Sequence, residues 1–129
     1  MKRLALLLPL LTLATYIVGC GLPADTIDLA DLEHHADVIH KKVDDGTIVP
    51  DRFNRIPRSE IPTIRPGATP NFVKYFENAV YFDFGTHVAA EGYMVFNAEA
   101  VHSITSQPPI KIYRTIVVSP RTDRYIGEY

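Results

Sequence analysis

The chain has one cysteine, no tryptophan and only seven glycines in 129 residues. A single thiol, at Cys20, excludes an intrachain disulfide and any multi-cysteine zinc or redox centre. The glycines form no phosphate-cradling loop, and Ser103 and Ser106 lack a nucleophile-elbow context. Asp83-Phe84-Gly85 matches a kinase tripeptide by letters only, because neither the glycine-rich loop nor the catalytic loop of a kinase accompanies it. Charge of either sign is not in large excess: 13 basic residues face 15 acidic ones. A nucleic-acid partner would favour a basic domain, so none is expected. No internal repeat is visible, and no enzyme constellation emerges.

What is present begins at the N-terminus. Met1-Lys2-Arg3 is cationic, and Leu4 to Val18 is apolar apart from Pro9 and hydroxyl groups. This order of a basic and then an apolar region predicts a secretory signal peptide over residues 1–19. Its fifteen apolar residues fall short of the roughly 20 that span a bilayer. The segment ends Ile17-Val18-Gly19-Cys20, which resembles the lipobox of bacterial lipoprotein precursors. The resemblance implies that Cys20 is acylated and becomes the first mature residue. Two or three acyl chains give a stable membrane anchor where one holds only marginally. Gly21 follows the cysteine in place of the aspartate of the inner-membrane retention signal, so the implied address is the outer membrane, facing the periplasm. Removal of residues 1–19 takes two bases and no acid, leaving a net negative single domain.

Residues 20–46 are expected to hold the anchor and one amphipathic helix. Leu29, Leu32, Ala36, Ile39 and Val43 recur at 3-4-3-4 spacing, which places them in one stripe. Asp25 or Thr26 can cap its start, and Gly46 can stop it. The narrow stripe suits either docking on the chain's own domain or self-association. His34, His35 and His40 raise a metal site, but His34 and His35 point about 100° apart on a helix and no H-x-x-x-H pair forms. Solvated histidines beside acids, such as His35 one turn from Asp31, are the simpler expectation, and no cofactor is predicted.

Residues 47–70 carry prolines at 50, 57, 62, 66 and 70, so an extended connector is expected rather than a central strand or helix. Its Ile48, Phe53, Ile56, Ile61 and Ile64 suggest that part of it lies against the domain. Its arginines, at 52, 55, 58 and 65, suit lipid phosphates or the protein's own acidic helix.

Residues 71–129 supply the rest of the fold. "NFVKYFENA" reads as a short helix or as a strand. "VYFDFG" (80–85) predicts a strand, "AAEGYMVFNAEAVHSITSQ" (89–107) a helix, and "IKIYRTIVVS" (110–119) a strand covered on both faces. Together they predict a βαβ unit with parallel strands, hence an α+β fold.

This stretch, ending in Arg121-Thr122-Asp123, resembles the first half of the OmpA-like peptidoglycan-binding domain. The family's G-H-T-D is here Pro120-Arg121-Thr122-Asp123, and no residue of this sequence matches the family's later arginine. The resemblance implies an incomplete OmpA-like α+β region. It makes Thr122 and Asp123 candidates for peptidoglycan binding, with Asp123 facing the ammonium of a stem peptide. Without the arginine, a charge-assisted contact worth about 1.5–3 kcal/mol is lost. The implied role is a structural or tethering one in the cell envelope, alone or in a secretion or conjugation assembly. The alternative is a lipoprotein that binds another envelope protein and no peptidoglycan.

Overall fold

A computed structural model describes residues 26–86, 89–97 and 110–129. The elements run α1 (Leu29–Asp44), a 3-10 turn (Arg58–Glu60), then β1 (Phe72–Phe76), β2 (Ala79–Asp83), β3 (Ala89–Phe96), β4 (Lys111–Ser119) and β5 (Thr122–Glu128). The strands form one sheet in the order β1-β2-β3-β5-β4, and every neighbouring pair is antiparallel.

The expected α+β βαβ unit is therefore wrong: the described fold is predominantly β, with one helix. The predicted helix over 89–107 fails at its start, where Ala89–Phe96 is β3; residues 98–107 lie outside the described residues. From Gly92 to Phe96 every side chain of β3 is buried. The strand is thus apolar on both faces, without the alternation that identifies a half-exposed strand. The two strands expected to be parallel neighbours, β2 and β4, are separated by β3 and β5. Nor is β4 covered on both faces. Among the described strands it lies at the edge, with Tyr113, Val117 and Val118 exposed. The undecided "NFVKYFENA" is β1 and its turn. Glu77 and Asn78, at φ 48° and 64°, close a two-residue hairpin onto β2, a turn that needs positive φ at both positions.

The helix forms where its periodicity predicts, and its cap is Asp28 rather than Asp25 or Thr26. The Asp28 carboxylate accepts from the Asp31 N–H at 3.1 Å. At the far end Gly46 takes φ 79°, the left-handed conformation that ends helices without a Cβ penalty. Leu32, Ala36 and Ile39 bury against Val73, Val80, Phe82, Tyr93 and Val95 of the sheet. The proline-rich segment joins this core rather than hanging free: Ile48, Ile56 and Ile64 are buried in it, while Phe53 stays exposed. Its Arg65 turns to the acidic helix start. The Arg65 N–H donates to the Asp31 carboxylate at 2.8 Å, and its guanidinium lies 3.4 Å from Asp31 and 3.7 Å from Asp28. The backbone bond from Arg65 holds the Asp31 carboxyl below its ordinary pKa.

The opposite face of the sheet carries a second cluster, of Ala79, Tyr81, Ala90, Met94, Phe96, Ile110, Ile112 and Tyr125. Gly92 sits at its centre. A Cβ there would lie 2.0 Å from the Phe82 carbonyl oxygen and 2.8 Å from the Tyr125 hydroxyl, so no larger residue fits without a shift.

Candidate functional site

Cys20, the predicted lipidation residue, lies outside the described residues, as do His87 and His102. Thr122 and Asp123 do not form a turn. Pro120 and Arg121 make the turn, and Thr122 and Asp123 open β5. Strand alternation sends their side chains to opposite faces of the sheet. Thr122, opposite Val95, lies on the helix side, where its hydroxyl donates to the Glu33 carboxylate at 2.7 Å. Ser119 donates to the same oxygen at 2.6 Å, and the Arg121 guanidinium bonds to Asp37 and to the Phe96 carbonyl. Asp123, opposite Met94, lies on the far side and is 3 % exposed. The two residues are brought together in sequence and separated in space.

The histidines also diverge. His35 lies 3.6 Å from Asp31, as its spacing predicts, and stacks edge-on against His34. His40 is not solvated as expected but turns inward. It is 3 % exposed, and its Nε2 meets the Val95 carbonyl at 3.2 Å while Nδ1 has no hydrogen-bond partner among the described residues. Burial pushes its pKa below the ordinary value, and Arg121 adds to this; Asp37 and Asp44 pull the other way. Beside it, Asp37, Lys41, Asp44, Asp45 and Asn97 line a cleft of about 440 Å³. No group of three or more potential ligands among the described residues is arranged to hold a metal ion.

A polar cluster that the sequence did not reveal surrounds Asp83. This carboxylate is fully buried at the end of β2. It accepts from the Tyr125 hydroxyl at 2.7 Å, from the Gly85 N–H at 3.0 Å, and from the Tyr129 hydroxyl. Burial and the carboxylate's charge push both tyrosine pKa values upward, so both phenols stay protonated as donors. Tyr81, buried nearby on the same face, is pushed up to about 12. Lys74, opposite Tyr81, is fully buried as well; desolvation and Arg55 lower its pKa. Tyr129 also lines a cleft of about 530 Å³ with Asn71, Gly85 and Thr86. The Asp83 oxygens already accept three internal donors, an arrangement that holds β2, β5 and the chain end together rather than activating a nucleophile. The signal that could have found it is the acid of "VYFDF" in a strand buried on both faces: such a group needs partners.

Comparison with family models, with curated proteins and with solved structures finds no match.

Proposed function

We propose that this chain is an outer-membrane lipoprotein, anchored through acyl chains on Cys20, whose folded part has a structural role and binds an envelope protein rather than peptidoglycan. The anchor rests on the basic start, the apolar segment and Ile17-Val18-Gly19-Cys20. The choice of partner rests on one observation: Thr122 and Asp123 are buried on opposite faces of the sheet. A carboxylate that is to meet a ligand's ammonium must reach solvent, and Asp123 does not. The loss of the βαβ framework removes the other support for a cell-wall ligand.

Two measurements test this reading. Mass spectrometry of membrane-extracted protein should find a lipid-modified N-terminal peptide beginning at Cys20. A Cys20→Ala form that fractionates with the outer membrane in native amounts would reject the anchor. Co-sedimentation with purified sacculi should show no binding that Asp123→Asn removes. Binding that this variant loses at unchanged melting temperature would restore the peptidoglycan reading.

A further inference from the structure

The arginines divide into two groups. Arg65 meets the carboxylates of Asp28 and Asp31, Arg121 that of Asp37, and Arg124 that of Glu91. Arg52, Arg55 and Arg58 form no salt bridge among the described residues. All three lie within Val49–Arg58, ten residues that hold a single acid, Asp51. That acid is occupied. Its carboxylate accepts the Phe53 N–H at 2.8 Å and the Arg55 N–H at 3.0 Å, and the Arg55 charge further lowers its pKa. Glu60, just beyond, is taken by Lys42 at 2.8 Å. Of the two destinations open to the arginines of this segment, the acidic helix takes only Arg65.

The same stretch exposes apolar groups. Val49 is 72 % exposed, the most of any large apolar residue described, and Phe53 is 49 % exposed. Their exposure does not come from a loose chain. The Asn54 N–H donates to the Asp51 carbonyl and the Asp51 N–H to the Arg55 carbonyl, both at 2.9 Å. With the two carboxylate bonds, these close a rigid turn over residues 51–55. The turn presents the Phe53 ring with the Arg52 guanidinium carbon 4.7 Å from its centroid. Behind it the Arg55 guanidinium stacks 4.7 Å over Phe72, its buried Nε without a hydrogen-bond partner.

We propose that this stretch is a membrane-surface contact: Phe53 and Val49 enter the interface of a bilayer, while Arg52 and Arg58, with Arg55 behind them, meet the phosphates of anionic phospholipids. The occupant follows from the pairing of chemistries. Aromatic rings settle at headgroup level and cations are drawn to the negative surface beside them. An acidic protein surface offers carboxylates to the arginines but no apolar layer beneath them. The proposal rests on the anchor read above. Thr26 is six residues from Cys20, so the tether spans at most about 22 Å and keeps the folded part beside the bilayer. At the effective concentration this creates, a contact too weak to recruit a free protein still orients a tethered one. Because the turn is already closed, little ordering is left for binding to impose. With the turn seated on the bilayer, the remaining surface is left to the protein partner.

The chain has no tryptophan, so Phe53→Trp places a single fluorophore at the tip of the turn. The control is Val117→Trp, an exposed position on β4. Each full chain, made without acylation, is coupled through its one thiol, Cys20, to a maleimide lipid in vesicles of phosphatidylethanolamine and phosphatidylglycerol. This supplies the tether whether or not the cell acylates Cys20, so a failed anchor and a failed contact are read separately. With brominated acyl chains, the emission of Phe53→Trp should be quenched at least about twofold more than that of Val117→Trp, because interfacial rings reach the acyl boundary. The excess should vanish when phosphatidylcholine replaces phosphatidylglycerol, at high salt, or on adding Arg52→Gln and Arg58→Gln. Positions 52, 53 and 58 are exposed, so the circular-dichroism melts should be unchanged. Equal quenching at positions 53 and 117 would overturn the proposal and leave the arginines to an acidic protein partner. An excess indifferent to lipid charge and to the two arginines would overturn it as well.

Discussion

The two faces of the sheet are buried by different chemistry. Against α1 the sheet presents an aliphatic and aromatic core of Val73, Val80, Phe82 and Val95, with polar contacts from His40, Glu33 and Asp37 beside it. On the other face Asp83, Lys74, Asp123 and the hydroxyls of Tyr81 and Tyr125 are buried among apolar side chains. The first face gains from area removed from water and tolerates rearrangement among apolar residues of similar size. The second depends on matching donors to acceptors, because a buried polar group without a partner costs more than a made hydrogen bond returns.

Substitutions separate the two regimes. Phe82→Ala, on the helix side, should cost about 3–5 kcal/mol through lost burial and the cavity left behind, measured by urea unfolding. A loss no greater than that of an exposed substitution would deny α1 its packing role. Tyr125→Phe, on the far side, removes one oxygen and almost no volume. It should still cost about 1–3 kcal/mol, because the buried Asp83 loses a donor. A neutral result would mean that Asp83 finds another partner and that this face does not depend on matched pairing. Asp28→Ala touches neither face. Losing the cap should cost about 1 kcal/mol, read as a fall in the melting temperature, and Asp28→Asn should recover most of it.

The smallest expected effect is a dependence on pH. The folded pKa of His40 lies below its unfolded value of 6.5, so folding favours the neutral ring. The stability it contributes is full above pH 6.5 and is lost as the pH falls through the folded pKa. The melting temperature should therefore decline on acidification from 7.5, and His40→Gln should flatten that decline. A wild-type melting temperature that rises over this interval, with the variant flat, would reverse the sign.

Legibility in the sequence follows the same division. The helix and its buried stripe were readable because one apolar face against one polar face imposes a 3-4 period. The strand of "VYFDF" was readable from its β-formers. In β3, Tyr93 to Phe96 bury both faces, so alternation vanished and the apolar spacing with nearby alanines imitated a helix. Strand composition identified β4 but not its place in the sheet, because β-branched density is the same in an edge strand and a central one. The Asp83 cluster was hidden because its partners Tyr125 and Tyr129 lie more than forty residues away. His40 misled in the opposite sense: a polar letter at the edge of a stripe gives no hint that a strand carbonyl waits beneath it. For Thr122 and Asp123, adjacency in sequence suggested a shared site, whereas strand geometry divides such neighbours between faces.

The strand order bears on how the protein comes together. The β1–β2 and β4–β5 pairs are hairpins closed by two-residue turns, whereas β3 and β5 join residues as far apart as Ala89 and Glu128. Closing that ladder carries the loop-closure entropy that the hairpins avoid. Helix α1 lies across this junction: His40 grips Val95 on β3, while Glu33 and Asp37 grip Thr122 and the β4–β5 turn. It thereby acts as a splint, tying the two hairpin halves to one another through side chains as well as through the β3–β5 backbone ladder.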